Sequence, residues 1–284
     1  MVRQIFGDES YSAVEHLAFA LWPDGEFSRS YFMMFTGYFD DSGHITNEKA
    51  LVVCGFVASV EQWKVFEKDW QAILNHPQFD LDYLHMKEFR AYKGKFAKFK
   101  DNLPLQTELF SGLYGLIEAR AEETFGATVL LRDYHNINGR YQLAERYGHP
   151  FALAGMTSIH KAIRWMEQNH PEDRINFVFD HDTDGWGHLL KAAKEMWIDE
   201  VIPVPGTFKK QLPLQAADHV AWEKHRFITQ AIDSSFAPQA VKARGSFHVL
   251  MEKFQQQDTW ALLNEASLEG FCNEASDPIA RRNG

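Results

Sequence analysis

The chain has 284 residues, 45% of them apolar and 24% charged, a balance that excludes disordered, collagen-like and coiled-coil classes. Its formal charge of -10 excludes a polyanion binder that works by overall attraction, so any contact with nucleic acid has to be local. No run of 18 apolar residues occurs, and Cys54 and Cys272 lie far apart outside any C-x-x-C pair, so the expectation is no membrane span and a reducing, cytoplasmic setting.

At roughly 150 residues per domain, this length fits one large domain with an insertion. Residues 1–30 read as an N-terminal extension holding one short amphipathic helix, a segment suited to packing on the body or on a second copy of the chain. Residues 31–284 read as a single domain. It opens with the apolar run Met33 to Phe39, a strand buried on both faces. Asp40-Asp41-Ser42-Gly43 follows as turn chemistry, and Ala50 to Val57 supplies the partner strand of a hairpin.

A mainly helical insertion is expected at about 60–121. Ser59 is placed as an N-cap with Gln62 three residues on, and Trp63, Phe66 and Trp70 share one helix face. A basic, aromatic stretch from Lys87 to Lys100 comes next, then a helix from about Pro104 to Ala121. Beyond it the pattern predicts a strand at about 124–131, a helix at 151–168, a strand at 175–179 and a helix near 186–200. A short strand at 201–204 and a helix at 213–230 follow, with a helical tail after about 231. Strands alternating with helices in the second half call for an α/β mixed sheet opened by an antiparallel hairpin, with helices on both faces.

Three acidic positions stand out. Asp40 follows the buried strand residues Tyr38 and Phe39, where a simple turn residue is the plain alternative. Asp180 ends the apolar strand Phe177-Val178-Phe179, and carboxyl ends of strands are where open α/β sheets place ligands; a turn or capping role is the alternative. Asp218 shares a helical face with Leu214 and Trp222 in Pro213-Leu214-Gln215-Ala216-Ala217-Asp218-His219-Val220-Ala221-Trp222. A buried carboxylate there needs a cation or hydrogen bonds, or else stays protonated; a structural ion pair would also satisfy it. Three convergent carboxylates suit hard cations, Mg2+ or Mn2+, and the activation of water for phosphodiester cleavage.

Tyr38-Phe39-Asp40-Asp41-Ser42-Gly43, Phe177-Val178-Phe179-Asp180 and Leu214-Gln215-Ala216-Ala217-Asp218-His219-Val220-Ala221 together resemble the domain of unknown function 3800 family. That family carries D-E-S-G at the first position and L-Q-x-A-D in the last helix, and the resemblance spans about residues 33–230. It implies a ribonuclease H-like fold and a metal-binding, catalytic set of Asp40, Asp180 and Asp218. It also implies a nuclease-like activity, with a phage-defence association for some members. Asp41 stands where the family has Glu, which keeps the charge and shortens the reach; it is a secondary candidate beside Asp182, His85 and Glu88. The last two sit in an H-x-x-E stretch that recurs in the family.

Several motifs are near misses. Asp180-His181-Asp182-Thr183-Asp184-Gly185 begins like a calcium loop, but Lys191 occupies the position of its bidentate Glu. The same Asp-x-Asp after a strand is similar to a haloacid dehalogenase-type phosphatase, though Asp184 stands where Thr or Val belongs. The local polyanion contact is expected at Lys93, Lys95 and Lys98 within the stretch that also holds Lys87, Arg90 and Lys100. Phe89, Tyr92, Phe96 and Phe99 interleave with these cations, to stack on bases or to anchor the stretch in the core. The leading expectation is a metal-dependent nuclease or phosphodiesterase acting on nucleic acid. A non-catalytic interaction or defence-sensor module on the same fold is the alternative, and the phosphatase a more distant one.

Overall fold

The computed structural model describes residues 34–46, 48–181, 185–197, 201–235 and 259–274, together with positions 14, 247, 252 and 254. The expected N-terminal extension, with its role in self-association, lies almost wholly outside the described residues, as does Asp182.

Strand β1 (Met34–Ser42) pairs antiparallel with β2 (Ala50–Ser59). Helices α1 (Val60–Leu74) and α2 (Met86–Arg90), a 3-10 segment (Gly94–Phe99) and α3 (Leu103–Arg120) follow, and fill the interval to β3 (Glu123–Leu130). Next come α4 (Leu131–Tyr141), α5 (Leu143–Tyr147), α6 (Pro150–Asn169), β4 (Arg174–Asp180), α7 (Trp186–Trp197), β5 (Val204–Gly206) and α8 (Leu212–Asp233). Strand β6 (Trp260–Leu263) and α9 (Glu265–Glu274) complete the described chain.

The six strands form one sheet in the order β5-β4-β1-β2-β3-β6. β1, β2 and β3 run antiparallel in turn, whereas β4 is parallel to β1, β5 to β4 and β6 to β3. The first five strands thus lie side by side as 3-2-1-4-5, the mixed α/β sheet opened by an antiparallel hairpin that the sequence pattern calls for. Two apolar cores flank it. One gathers α1, α3, α8 and the 79–99 stretch around Tyr38, Phe56 and Val178; the other gathers α4, α6, α7 and α9 around Phe39, Val57 and Phe179.

Alternation along the strands sends neighbouring residues to opposite cores. Tyr38 and Val178 point into the first and Phe39 and Phe179 into the second, so both strands carry apolar residues at consecutive positions just before their aspartates. β1 does not turn at Asp40. It continues through Ser42, with Asp40 paired to Cys54 and Ser42 to Val52, and the chain reverses only from Gly43, which has φ +106. A Cβ at Gly43 would also come within 2.4 Å of the Ala50 carbonyl oxygen, so glycine is required there on two counts.

Ser59 caps α1 as expected, its hydroxyl accepting from the Gln62 N–H at 3.3 Å, and Trp63, Phe66 and Trp70 are all buried. Two expectations need correction, and one interval to which the sequence assigned no element is helical. The short strand lies at Val204–Gly206 instead of 201–204, because it pairs with Val178 to Asp180. The interval from 131 to 147 holds two helices, α4 and α5, the first of them amphipathic with Leu131, Tyr134 and Ile137 inward. The segment after 231 is not wholly helical, since it returns to add β6 beside β3.

Candidate active site

Register and parity bring the three aspartates together. Phe39 of β1 stands opposite Phe179 of the parallel β4. Asp40 and Asp180, each one residue further, therefore lie side by side on strands spaced about 4.8 Å apart, Asp180 as the last residue of β4 and Asp40 near the C-terminal end of β1. Both alternate away from the phenylalanines, toward the face that α8 covers. On α8, Leu214, Val220 and Ala221 pack against that face, and Asp218 lies among them. Asp180 and Asp218 are each 8% exposed, and all three carboxylates line one cavity of about 640 Å³.

Hydrogen bonds fix two of the carboxylates. The Asp41 N–H donates to Asp40 Oδ1 at 2.7 Å, and the Met86 N–H donates to Asp218 Oδ2 at 2.8 Å. Desolvation dominates the electrostatics. Burial, reinforced by the charges of Asp218, Asp41 and Asp180 and opposed by the Asp41 N–H, holds the Asp40 carboxyl well above the usual carboxylate range. Burial pushes Asp218 up to about 6, against the Met86 N–H and His85 and with help from Asp180. Such mutual repulsion marks a site that favours added positive charge. Among the described residues no three His, Cys, Asp or Glu side chains stand ready-made as a metal-ligand group. The donor set itself, oxygen atoms only on three crowded carboxylates, fits a hard divalent cation.

Asp41 and His85 also line the cavity. Glu88 stands behind His85, with Oε1 3.5 Å from His85 Nδ1 and Oε2 accepting from the Tyr83 hydroxyl at 2.6 Å; that hydroxyl bond holds the Glu88 carboxyl below its ordinary range. Lys93, Lys95 and Lys98 are exposed on the 3-10 segment and the turn before it, away from the cavity lining. Lys95 is held by Asp80 at 3.2 Å and Asp82 at 3.0 Å. Phe89, Phe96 and Phe99 are buried in the first core, so they anchor this stretch and present no ring to a base. Lys87, the first cation of the stretch, does line the cavity.

Sequence reasoning missed several wall residues: Glu48, His149, Phe208, Trp222 and His225. His225 Nε2 lies 3.7 Å from Glu48, and burial pulls its pKa down against that charge. Its spacing was legible, seven residues or about two turns beyond Asp218 and so on the same face of α8. Trp222, four residues beyond Asp218 on the same helix, carried the same signal, whereas Glu48, His149 and Phe208 come from separate elements and carry none. Also missed was Gln215, fully buried. Its Oε1 accepts from Leu84 N–H and Trp70 Nε1–H, both at 2.9 Å, and its Nε2 donates to the Phe208 carbonyl at 2.8 Å.

Fold and cavity together define a mixed α/β domain with a carboxylate cluster at the ends of two adjacent parallel strands. No family model matches the chain, and no curated protein matches it. Among solved structures it is similar to Bst-RNase HIII in complex with Mn2+, at 12% identity over 92% of this chain and 68% of that one, with a TM-score of 0.39. A point variant of Bst-RNase HIII gives 12% identity over 97% and 75%, TM-score 0.38. Aquifex aeolicus RNase H3 gives 11% over 84% and 73%, TM-score 0.36. The fold class stands on the sheet order of this chain itself. Among the described residues no helix is long and apolar enough to cross a membrane.

Proposed function

We propose that this chain is a divalent-metal-dependent nuclease or related phosphodiesterase, with Asp40, Asp180 and Asp218 holding Mg2+ or Mn2+. The observation that carries this reading is the meeting of the three carboxylates in one cavity, two of them on neighbouring strand ends and the third on the helix above. Bound there, such a cation supplies Lewis acidity toward a phosphodiester and the water that attacks it. The protein would position the donors, with the Asp41 N–H holding the carboxylate of Asp40 and the Met86 N–H that of Asp218. His85, whose Nδ1 faces Glu88, is the wall side chain we assign to carry a proton at Nε2. The resemblance to the domain of unknown function 3800 family agrees with this assignment and rests on the motif residues alone.

The test is incubation with single- and double-stranded DNA and RNA in Mg2+, Mn2+ or EDTA. Cleavage with either metal, and none with EDTA or in Asp218→Asn, is the expected result. Metal-independent turnover through a covalent aspartyl-phosphate would move the assignment to a phosphatase. No turnover of any substrate, with the fold intact, would leave an interaction module.

A further inference from the structure

An acidic cavity repels the polyanion it is proposed to cut, so cations close to it have to bring the substrate in. Two loops at its edge supply them. Residues 83–85 lead into α2, whose first turn carries Lys87, and residues 207–211 join β5 to α8. Gln215 ties both to the helix that bears Asp218, through Leu84 N–H and the Phe208 carbonyl. The His85 ring stacks on Phe208, centroids 4.4 Å apart at 20°, and Tyr83 stands 5.7 Å from the same ring. Lys209 Nζ lies 5.5 Å from the Tyr83 ring centre and 5.8 Å from that of Phe208. Lys87 and Lys209 are exposed, while Tyr83, His85 and Phe208 are half-buried. Further round the wall, Trp222 has the Arg90 guanidinium 4.9 Å and that of Arg226 5.7 Å from its centre.

From this arrangement we infer that the two loops form a binding rim for an unpaired nucleic-acid strand, with phosphates at Lys87 and Lys209 and a base against the His85–Phe208 stack. Partly open rings between cations recognise nucleotides whose faces are accessible. A duplex keeps those faces inside its own stack. This inference names the substrate class of the proposed nuclease and takes from that reading only the direction in which the strand is led. The rim is also built: a buried amide fixes both loops at once, and the Tyr83–Glu88 bond holds the first of them in shape.

The experiment is fluorescence anisotropy on the full chain in EDTA, with labelled oligo-dT, oligo-U and a blunt hairpin duplex across a salt series. Both single strands are expected to bind more tightly than the duplex. Lys87→Ala with Lys209→Ala is expected to weaken binding about tenfold and to flatten the log-log salt slope by about 1.4, at roughly 0.7 per single-strand phosphate contact. Phe208→Leu is expected to weaken binding several-fold at an unchanged slope, and Phe208→Trp to retain it, which separates lost stacking from a damaged loop. Equal affinity for duplex and single strands overturns the inference. So does an unchanged slope in the double lysine variant, or a flattened slope only when Lys93, Lys95 and Lys98 are replaced together. Binding without cleavage in Mg2+ would sustain the rim and overturn the nuclease reading; cleavage indifferent to the rim variants would do the reverse.

Discussion

Two long helices cover opposite faces of the same sheet and bury opposite kinds of residue. α6 presents Phe151, Leu153, Ile159, Ala162 and Met166 to its core, and its one buried polar side chain, Ser158, bonds back to the Ala154 carbonyl of its own helix at 2.8 Å. α8 buries Gln215, Asp218, His219 and Glu223 among small apolar residues. Three of these have partners on other segments: Gln215 with Trp70, Leu84 and Phe208, Asp218 with Met86, and His219 with the Tyr114 hydroxyl at 3.1 Å. The α6 face contributes stability through apolar burial alone. The α8 face holds groups that are costly to bury, and they stay there because groups on neighbouring helices and loops satisfy them.

The contrast is sharpest at Asp218. Asp218→Asn is expected to abolish metal-dependent turnover while leaving the melting temperature unchanged or higher, because a buried, repelled charge is removed. Activity assays and thermal melting check it, and a large loss of stability with turnover retained would make Asp218 structural. Phe151→Ala on α6 is expected to do the opposite. It should cost about 3–5 kcal/mol in denaturant unfolding and leave the turnover of the folded fraction intact.

Gln215→Leu falls between the two. The Leu84 N–H and Trp70 Nε1–H would lose their acceptor, at about 1–3 kcal/mol for each buried donor, and the apparent metal affinity should weaken as Met86 loses its support against Asp218. Isothermal titration with Mn2+ and a denaturant curve separate the two effects. Titration should also distinguish the faces. The folded-state pKa of Asp218, about 6, lies above its ordinary 3.8. The native state therefore binds more protons between those values, and stability in EDTA falls as pH rises from about 4 to 6. Asp40, raised in the same direction, adds to the fall, and Asp218→Asn should flatten the slope in melting temperature against pH. Ser158→Ala, the smallest effect, is expected to change stability by less than about 0.5 kcal/mol, because the lost bond lies within one helix and its carbonyl keeps the backbone ladder.

Much of this arrangement is legible in the amino-acid sequence. The apolar runs 33–39 and 175–179 announce strands buried on both faces, and the carboxylates at their ends can be named because charge is unexpected there. The capping pair at Ser59 and Gln62 and the aromatic stripe of α1 follow from local rules that neighbours only reinforce. The basic stretch shows where local reading stops. Its alternation of cations and rings is the same for a stacking platform and for a loop stapled to a core, and only the burial of Phe89, Phe96 and Phe99 separates them. Asp40 likewise sits in a sequence written as a turn, yet β2 pairs with that segment as far as Ser42 and keeps it extended.

The sequence by itself determined most of the strands and long helices, their two-faced burial and the choice of three aspartates as candidates, because periodicity and the cost of burying charge act over a few residues; α4, α5 and β6 escaped it. The tertiary structure decided the register that sets Asp40 beside Asp180, the loops that Gln215 joins, and which cations flank the cavity. Those depend on contacts between residues more than a hundred positions apart, such as Gln215 with Leu84 and Met86 with Asp218, where no local pattern carries the information.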